Sequence, residues 1–237
     1  MGSVLDRRGP RDGTPHAIPV TSDPREPHAE TERSAAKSPA AWVLFVVATA
    51  IGLAIDLWTK SLAFATLAPR PVVIDRAEVI ELTKAGRSLG SLVPGHHATT
   101  VVPHGLDLTL VLNRGAVFGL GAGQRWIFVV FTLFAVGFGL WAFVKWTTAR
   151  DRLVHLMIAL VLAGGLGNLY DRLSFACVRD FIHPLPGVRY PFGITTPWSG
   201  PEIWPYVSNV ADLFLLIGIA GLMLTLMKTE PKQDPRS

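Results

Sequence analysis

Residues 41–55, 126–144, 153–170 and 210–227 of this chain are apolar almost without a break, and the polar residues between them fall into short, compact islands. Each apolar stretch is close to the roughly 20 residues a helix needs to cross the hydrocarbon layer, so four spanning helices are predicted. The first and last reach that length only if the flanking Asp56 and Asp212 lie near the interface. A second period is visible between the first two stretches. Leucine occupies every second position of Leu106-Asp107-Leu108-Thr109-Leu110-Val111-Leu112, as in a half-buried strand, and Pro71-Val72-Val73-Ile74 is another strand candidate. The expected fold is mainly α: a polytopic membrane protein with four transmembrane helices and a small extracytoplasmic β-sheet.

Composition supports this class. Hydrophobic residues make up 49% of the chain and charged residues 17%, a balance that disfavours a soluble domain. The formal charge of +4 is spread along the sequence and gives no case for nucleic acid. A single cysteine, Cys177, excludes an intramolecular disulfide and a multi-cysteine metal site.

Residues 1–40 are rich in Pro, Ser, Thr and charge and nearly lack large apolar side chains, so they read as a disordered tail. So long a polar leader is not the arrangement of a cleavable signal peptide, and the first helix is expected to remain as an anchor. Residues 41–228 form the membrane domain, with external segments at about 66–123 and 175–207, and residues 229–237 form a second short tail. Lys37, then Lys145, Arg150 and Arg152, then Lys228 and Lys232 share one side of a four-span topology, which places both termini in the cytoplasm. Arg70, Arg76, Arg87, Arg172, Arg179 and Arg189 fall on the other side, partly in long segments that count little. Residues 86–105, with Pro94, Pro103 and three histidines (His96, His97, His104), look like a flexible insertion whose histidines are exposed loop residues rather than a metal set.

With this topology every polar island meets one face. Asp56-Leu57-Trp58-Thr59-Lys60 ends the first helix, Asn113-Arg114-Gly115-Ala116-Val117-Phe118-Gly119 precedes the second, Gly164 to Arg172 ends the third, and Ser208-Asn209-Val210-Ala211-Asp212 opens the fourth. Asp180, in Val178-Arg179-Asp180-Phe181, lies just outside the membrane on that same side. An ionisable group at membrane depth costs roughly 2.5 kcal/mol or more, so Asp180 and Asp212 together mark a working site. Two carboxyls in one site cannot both ionise cheaply and keep one proton between them over a broad pH range. The charged member can then take a proton from water while the protonated one hydrogen-bonds the oxygen where negative charge develops. That chemistry needs neither a metal nor a covalent intermediate.

Plainer readings accompany each residue. Asp212 could be a helix cap, although Asn209 is already placed for that. Asp56 and Lys60, four residues apart, fit a structural ion pair on one helical face. Asp171 and Arg172 could pair locally. His155 suits an interfacial residue and Cys177 an idle thiol, since only His183 is near enough in sequence to activate it. Gly164, Gly165 and Gly167 allow close approach of either a neighbouring helix or a substrate. The zinc hydrolase element His-Glu-x-x-His does not occur, and Gly86-Arg87-Ser88-Leu89-Gly90 matches Gly-x-Ser-x-Gly in spacing but lies in the insertion and not at a strand-to-helix elbow. Two further classes remain open: a small proton-coupled membrane carrier, and a non-catalytic membrane assembly factor, which under the resemblance below would be a lipoprotein-handling membrane factor.

Five blocks taken in order resemble the bacterial lipoprotein signal peptidase (signal peptidase II) family over residues 42–227: Asp56 to Lys60, Asn113 to Gly119, Gly164 to Arg172 (one spacer shorter than the family pattern), Val178 to Phe181 and Asn209 to Asp212. The resemblance implies an aspartic endopeptidase that cuts prolipoproteins on the amino side of a diacylglyceryl cysteine, at the outer face of the bacterial inner (cytoplasmic) membrane, without a cofactor or metal. Asp180 and Asp212 match the catalytic pair. Asn113, Asn168, Arg172 and Asn209 match polar residues that bind substrate or orient the pair, and Asp56, Lys60 and Asp171 match more structural positions. The sheet matches an external cradle, and the implied partners are prolipoprotein substrates and membrane lipid. Ser208 in place of the usual phenylalanine, the bulky Trp58, the long tail and the long segments 85–105 and 185–206 depart from the pattern.

Overall fold

The computed structural model describes residues 34–115, 125–197 and 200–228. The expected tail up to residue 33, the last four residues of the 113–119 island and the C-terminal tail from residue 229 lie outside the described residues.

Four long helices are apolar enough to cross a membrane: α1 (Pro39–Thr66) and, after the short external helix α2 (Arg76–Lys84) and strands β1 (Thr99–Val102) and β2 (Leu106–Asn113), α3 (Arg125–Trp146), α4 (Arg152–Phe175) and, past strand β3 (Val178–Pro184), α5 (Val210–Lys228). Ser38 caps α1 by accepting from the Ala41 N–H at 3.3 Å, with Pro39 at the first helical position where its missing donor costs nothing. α4 is the central helix: 56% of its apolar window is buried, against 22% for α1 and 11% for α3 and for α5. The side chains left bare on the outer helices, among them Val46, Phe131, Phe134 and Leu216, are those a lipid environment would cover.

Helix α4 can be central because it is small where others cross it. A Cβ on Gly164 would collide with the Ala211 carbonyl of α5, and one on Gly167 would collide with the Asp56 carboxylate of α1. Gly165 instead looks toward Thr132 of α3 across an ordinary van der Waals gap of 3.5 Å. Two of the three glycines thus serve contacts between the protein's own helices.

Helix α1 runs eleven residues beyond the predicted end of its apolar run, from residue 55 to Thr66, so Asp56 and Lys60 lie within it and not at its terminus. The reason is mutual neutralisation: the Lys60 ammonium bonds the Asp56 carboxylate at 2.8 Å, and both side chains are fully buried. His155 is likewise no interfacial residue; it is fully buried, stacks edge-on to Phe143 and shares a 3.0 Å hydrogen bond with Thr147.

Outside the helices, β1, β2 and β3 form an antiparallel sheet in that order. The leucine alternation did mark a strand, β2, with Leu110 and Leu112 buried and Val111 exposed between them. Pro71–Ile74 is not a strand. The chain there turns back on α1, the Val72 N–H donating to the Phe64 carbonyl at 2.9 Å, and Val72 and Ile74 pack on a core that holds Leu110, Leu112 and Phe181. Nor is segment 86–105 structureless: Leu89 anchors a 3-10 turn (Leu89–Leu92) in that core, β1 follows, and His96 fastens the segment to β2. Helix α2 escaped the sequence reading, although Asp75 caps it from Ala77 and Glu78 and Val79 and Leu82 form its buried face.

Candidate active site

Asp212 sits in the first turn of α5. The Asn209 side chain accepts from the Asp212 N–H at 3.2 Å, while Asp212 Oδ2 accepts from the Asn209 N–H at 3.1 Å, a reciprocal capping pair. The capping role is therefore real, yet it uses only one carboxylate oxygen. Asp212 Oδ1 is held by the Asn168 amide of α4 at 2.8 Å.

Asp180 comes from β3, whose register opposite β2 sets Asp180 against Val111 and Val178 against Asn113. Its Oδ2 accepts from the Asn113 amide at 2.9 Å and its Oδ1 from the Asn209 amide at 2.6 Å. Asn209 thus bonds both carboxylates, Asp180 through its side chain and Asp212 through its backbone. Asp180 is only 1% exposed. Burial, and next the charge of Asp212, push its carboxyl up to about 7, against the opposing hydrogen bonds from Asn113 and Asn209.

Lys60 decides which way the amides point. An ammonium only donates, so the Asn168 atom 2.9 Å from Lys60 Nζ is Oδ1, which turns the Asn168 amine toward Asp212. The same Oδ1 also accepts from Asn209 at 3.2 Å. Asp56, paired with Lys60 through Oδ2, uses Oδ1 to accept from the Ala211 N–H at 2.8 Å and so holds the first turn of α5.

Asp171 does not pair with Arg172, because neighbouring residues on a helix point in different directions. It takes Arg179 in a fork, Nη2 to Oδ1 at 2.8 Å and Nε to Oδ2 at 3.2 Å, and also accepts from the Arg179 N–H at 3.0 Å. β3 is fastened in this way one residue before Asp180. Lys60 Nζ lies 3.8 Å from Asp171, so Asp56, Asp171, Lys60 and Arg179 form a buried, charge-balanced quartet beneath the two aspartates. Arg179 figured in the sequence only as a misplaced basic residue. The signal was there in strand alternation, which turns it away from the face that carries Asp180.

Arg172 donates to the Asn168 carbonyl at 3.1 Å, lies over the Phe128 ring at 5.2 Å and has a buried Nε with no partner among the described residues. It lines a cavity of about 210 Å³ between α3, α4 and α5, together with Phe131, Gly165, Asn168, Asp212 and Leu215. Cys177 is fully buried, and burial, with the Asp171 charge adding to it, pushes its thiol up to about 12, far from a nucleophile's range.

The structure is that of a four-span membrane protein in which one asparagine, Asn209, holds the Asp180 and Asp212 carboxylates together at one end of the helices. The family model described as "Signal peptidase (SPase) II" matches residues 48–228, and the chain belongs to that family of membrane proteases. The lipoprotein signal peptidase of Desulfitobacterium hafniense (strain DSM 10664 / DCB-2) is 32% identical over 62% of this chain and 85% of the relative. That of Methylobacterium sp. (strain 4-46) is 33% identical over 69% and 87%. Among solved structures, a bacterial membrane enzyme determined by the in meso method at 2.3 Å resolution shares the fold, with a TM-score of 0.54 and 21% identity over 81% of this chain and 93% of that one.

Proposed function

We propose that this protein is an aspartic endopeptidase that removes signal peptides from prolipoproteins, cutting before the diacylglyceryl cysteine at the outer face of the cytoplasmic membrane. The observation that carries the reading is the shared grip of Asn209 on Asp180 and Asp212. The raised Asp180 carboxyl keeps the pair's proton up to about pH 7. Asp212, half-buried and open to the cavity, is the base. It takes a proton from a bound water, whose oxygen attacks the scissile carbonyl, while the Asp180 proton bonds the carbonyl oxygen. Collapse of the tetrahedral intermediate breaks the C–N bond, and a proton passes to the cysteine nitrogen as it leaves.

Asn113, Asn168 and Asn209 orient the pair, with Asp56, Lys60 and Asp171 as their frame. Arg172, with its spare Nε donor, faces the substrate backbone. The cavity between α3, α4 and α5 suits an apolar substrate segment in the bilayer, and the sheet cradles the chain outside it. Basic residues beside the helix ends support cytoplasmic termini, including the tails at 1–40 and 229–237.

Incubation of the purified protein in detergent with one prolipoprotein, with and without diacylglycerol on its cysteine, tests this reading. Mass spectrometry is expected to find a free amino-terminal lipid-modified cysteine only with the lipidated form and none with Asp180→Asn. Cutting elsewhere, or undiminished cutting by Asp180→Asn, contradicts it.

A further inference from the structure

Strand β2 is paired unequally along its two edges. On one side β3 follows it to its end, with Asn113 opposite Val178. On the other, β1 stops at the pair Thr99–Leu108, and among the described residues no strand pairs with that edge beyond Leu108. The first freed donor, the Leu110 N–H, is taken by Nε2 of His96 at 2.9 Å, while Nδ1 of the same ring is fixed 3.0 Å from the Pro94 carbonyl. By the two-residue period of a strand, Leu112 presents its N–H and C=O to the same edge.

A cleft of about 560 Å³ runs along this edge. One wall is the unbroken series Leu110, Val111, Leu112, Asn113 and Arg114, and the other is the turn around residues 86–93. Leu110 to Asn113 are four successive residues of β2, and they line a cleft together when it follows the strand's edge, because a cleft over one face would meet every second residue. Its lining includes Asn113, whose side-chain amide holds Asp180 Oδ2.

We propose that this edge receives, as an added antiparallel or parallel strand, the extended stretch of substrate that immediately follows the scissile bond. The proposal rests on the peptidase reading above. Substrate leaves the carboxyl pair in two directions. The apolar cavity bordered by Asp212 and Arg172 takes the lipid-buried part, and a cleft whose lining includes Asn113, a partner of Asp180, takes the part that continues outward. Backbone pairing gives affinity with little demand on side-chain identity, which suits an enzyme acting on many proteins whose sequences differ after the cut. At about 3.3 Å per residue, the edge from Leu110 to Arg114 takes a segment of about four or five residues. The turn at residues 86–93 belongs to the long insertion, so the outer wall of the cleft is a feature of this chain's own sequence.

The test is a backbone N-methyl scan. Diacylglyceryl peptides carrying a single N-methyl group at each of the four residues after the cysteine are titrated by fluorescence anisotropy into full-length Asp180→Asn protein in detergent micelles. Methylation at alternate positions is expected to raise Kd about tenfold, and at the intervening positions less than about twofold. In an Asp180→Asn/Gly90→Trp background the contrast should fall to near one. A Cβ at Gly90 meets only Ser88 Oγ, at 3.3 Å, so the indole has the cleft to fill. A scan that is flat, or that weakens binding equally at every position, overturns the proposal. Cleavage of the unmethylated peptide by wild type, run in parallel, separates the two readings: alternation without cleavage leaves the docking edge and removes the peptidase, and cleavage without alternation does the reverse.

Discussion

Lys60→Met tests how the buried quartet supports the aspartate pair. Lys60 is fully buried and its ammonium reaches Asp56 at 2.8 Å, Asn168 at 2.9 Å and Asp171 at 3.8 Å. Its removal leaves two carboxylates facing Arg179 alone, in a quartet that otherwise sums to zero, and strips Asn168 Oδ1 of its charged donor. Deleting one partner of a buried ion pair costs about 3–5 kcal/mol. The double variant Asp56→Asn/Lys60→Met restores charge balance, and the amide oxygen that replaces the Asp56 carboxylate can still accept from the Ala211 N–H, so most of that loss should return, to within about 1–2 kcal/mol of wild type. Activity should not return, because Asn168 Oδ1 keeps only the longer, neutral hydrogen bond from Asn209 at 3.2 Å and the amide is held less firmly toward Asp212. Unfolding in detergent by SDS titration, followed through the protein's seven tryptophans, gives the stability, and peptide cleavage gives the activity. A single variant within about 1 kcal/mol of wild type, or a double variant that regains full cleavage, refutes the assignment.

Other consequences can be measured separately. Because the Asp180 carboxyl is raised to about 7, cleavage should fall as pH rises through that value and the pair loses its last proton. The stability this group supplies is likewise fully present below the ordinary carboxylate range and is lost as pH rises toward 7, since the folded state holds a proton the unfolded chain has released. The Asn113 N–H bond favours the carboxylate, so Asn113→Ala should move the alkaline limb of the pH–rate profile to higher pH; a downward move contradicts the contact. Gly167→Ala drives a methyl group into the Asp56 carboxylate and should destabilise by about 1–3 kcal/mol, whereas Gly137→Ala, whose Cβ meets nothing within 4 Å, should be silent in the same titration. Cys177, buried and with its thiol near 12, should resist a water-soluble maleimide at pH 8 until the protein is unfolded.

Much of this was legible in the residues. Apolar length located the four helices, and the leucine period located β2, because both are properties of one element and its surroundings. The clustering of Asn113, Asn168, Asn209, Asp180 and Asp212 followed from topology, since each lies in a polar island on the same side of the four spans. What could not be read was pairing between elements. Helix geometry separates Asp171 from Arg172, but nothing local tells that Asp171 will take Arg179 or that Lys60 will reach across to α4. Those choices depend on glycines 164 and 167 drawing helices together. Helix α1 outran its predicted end for the same reason, a buried lysine and aspartate being acceptable once they neutralise each other. Helix α2 and strand β1 were missed because a nine-residue helix and a four-residue strand carry weak periods, and their positions are fixed by Leu89 and His96 packing on β2.

The claim that Asp180 and Asp212 act as one unit is tested most directly by comparing Asp180→Asn, Asp212→Asn and the double variant in single-turnover cleavage of a diacylglyceryl prolipoprotein. Groups that share a proton and a water fail together, so each single change should slow cleavage by about a thousandfold or more, and the double change should be no slower than either. Losses that multiply in the double variant, or a single variant that keeps wild-type turnover, would contradict a shared dyad.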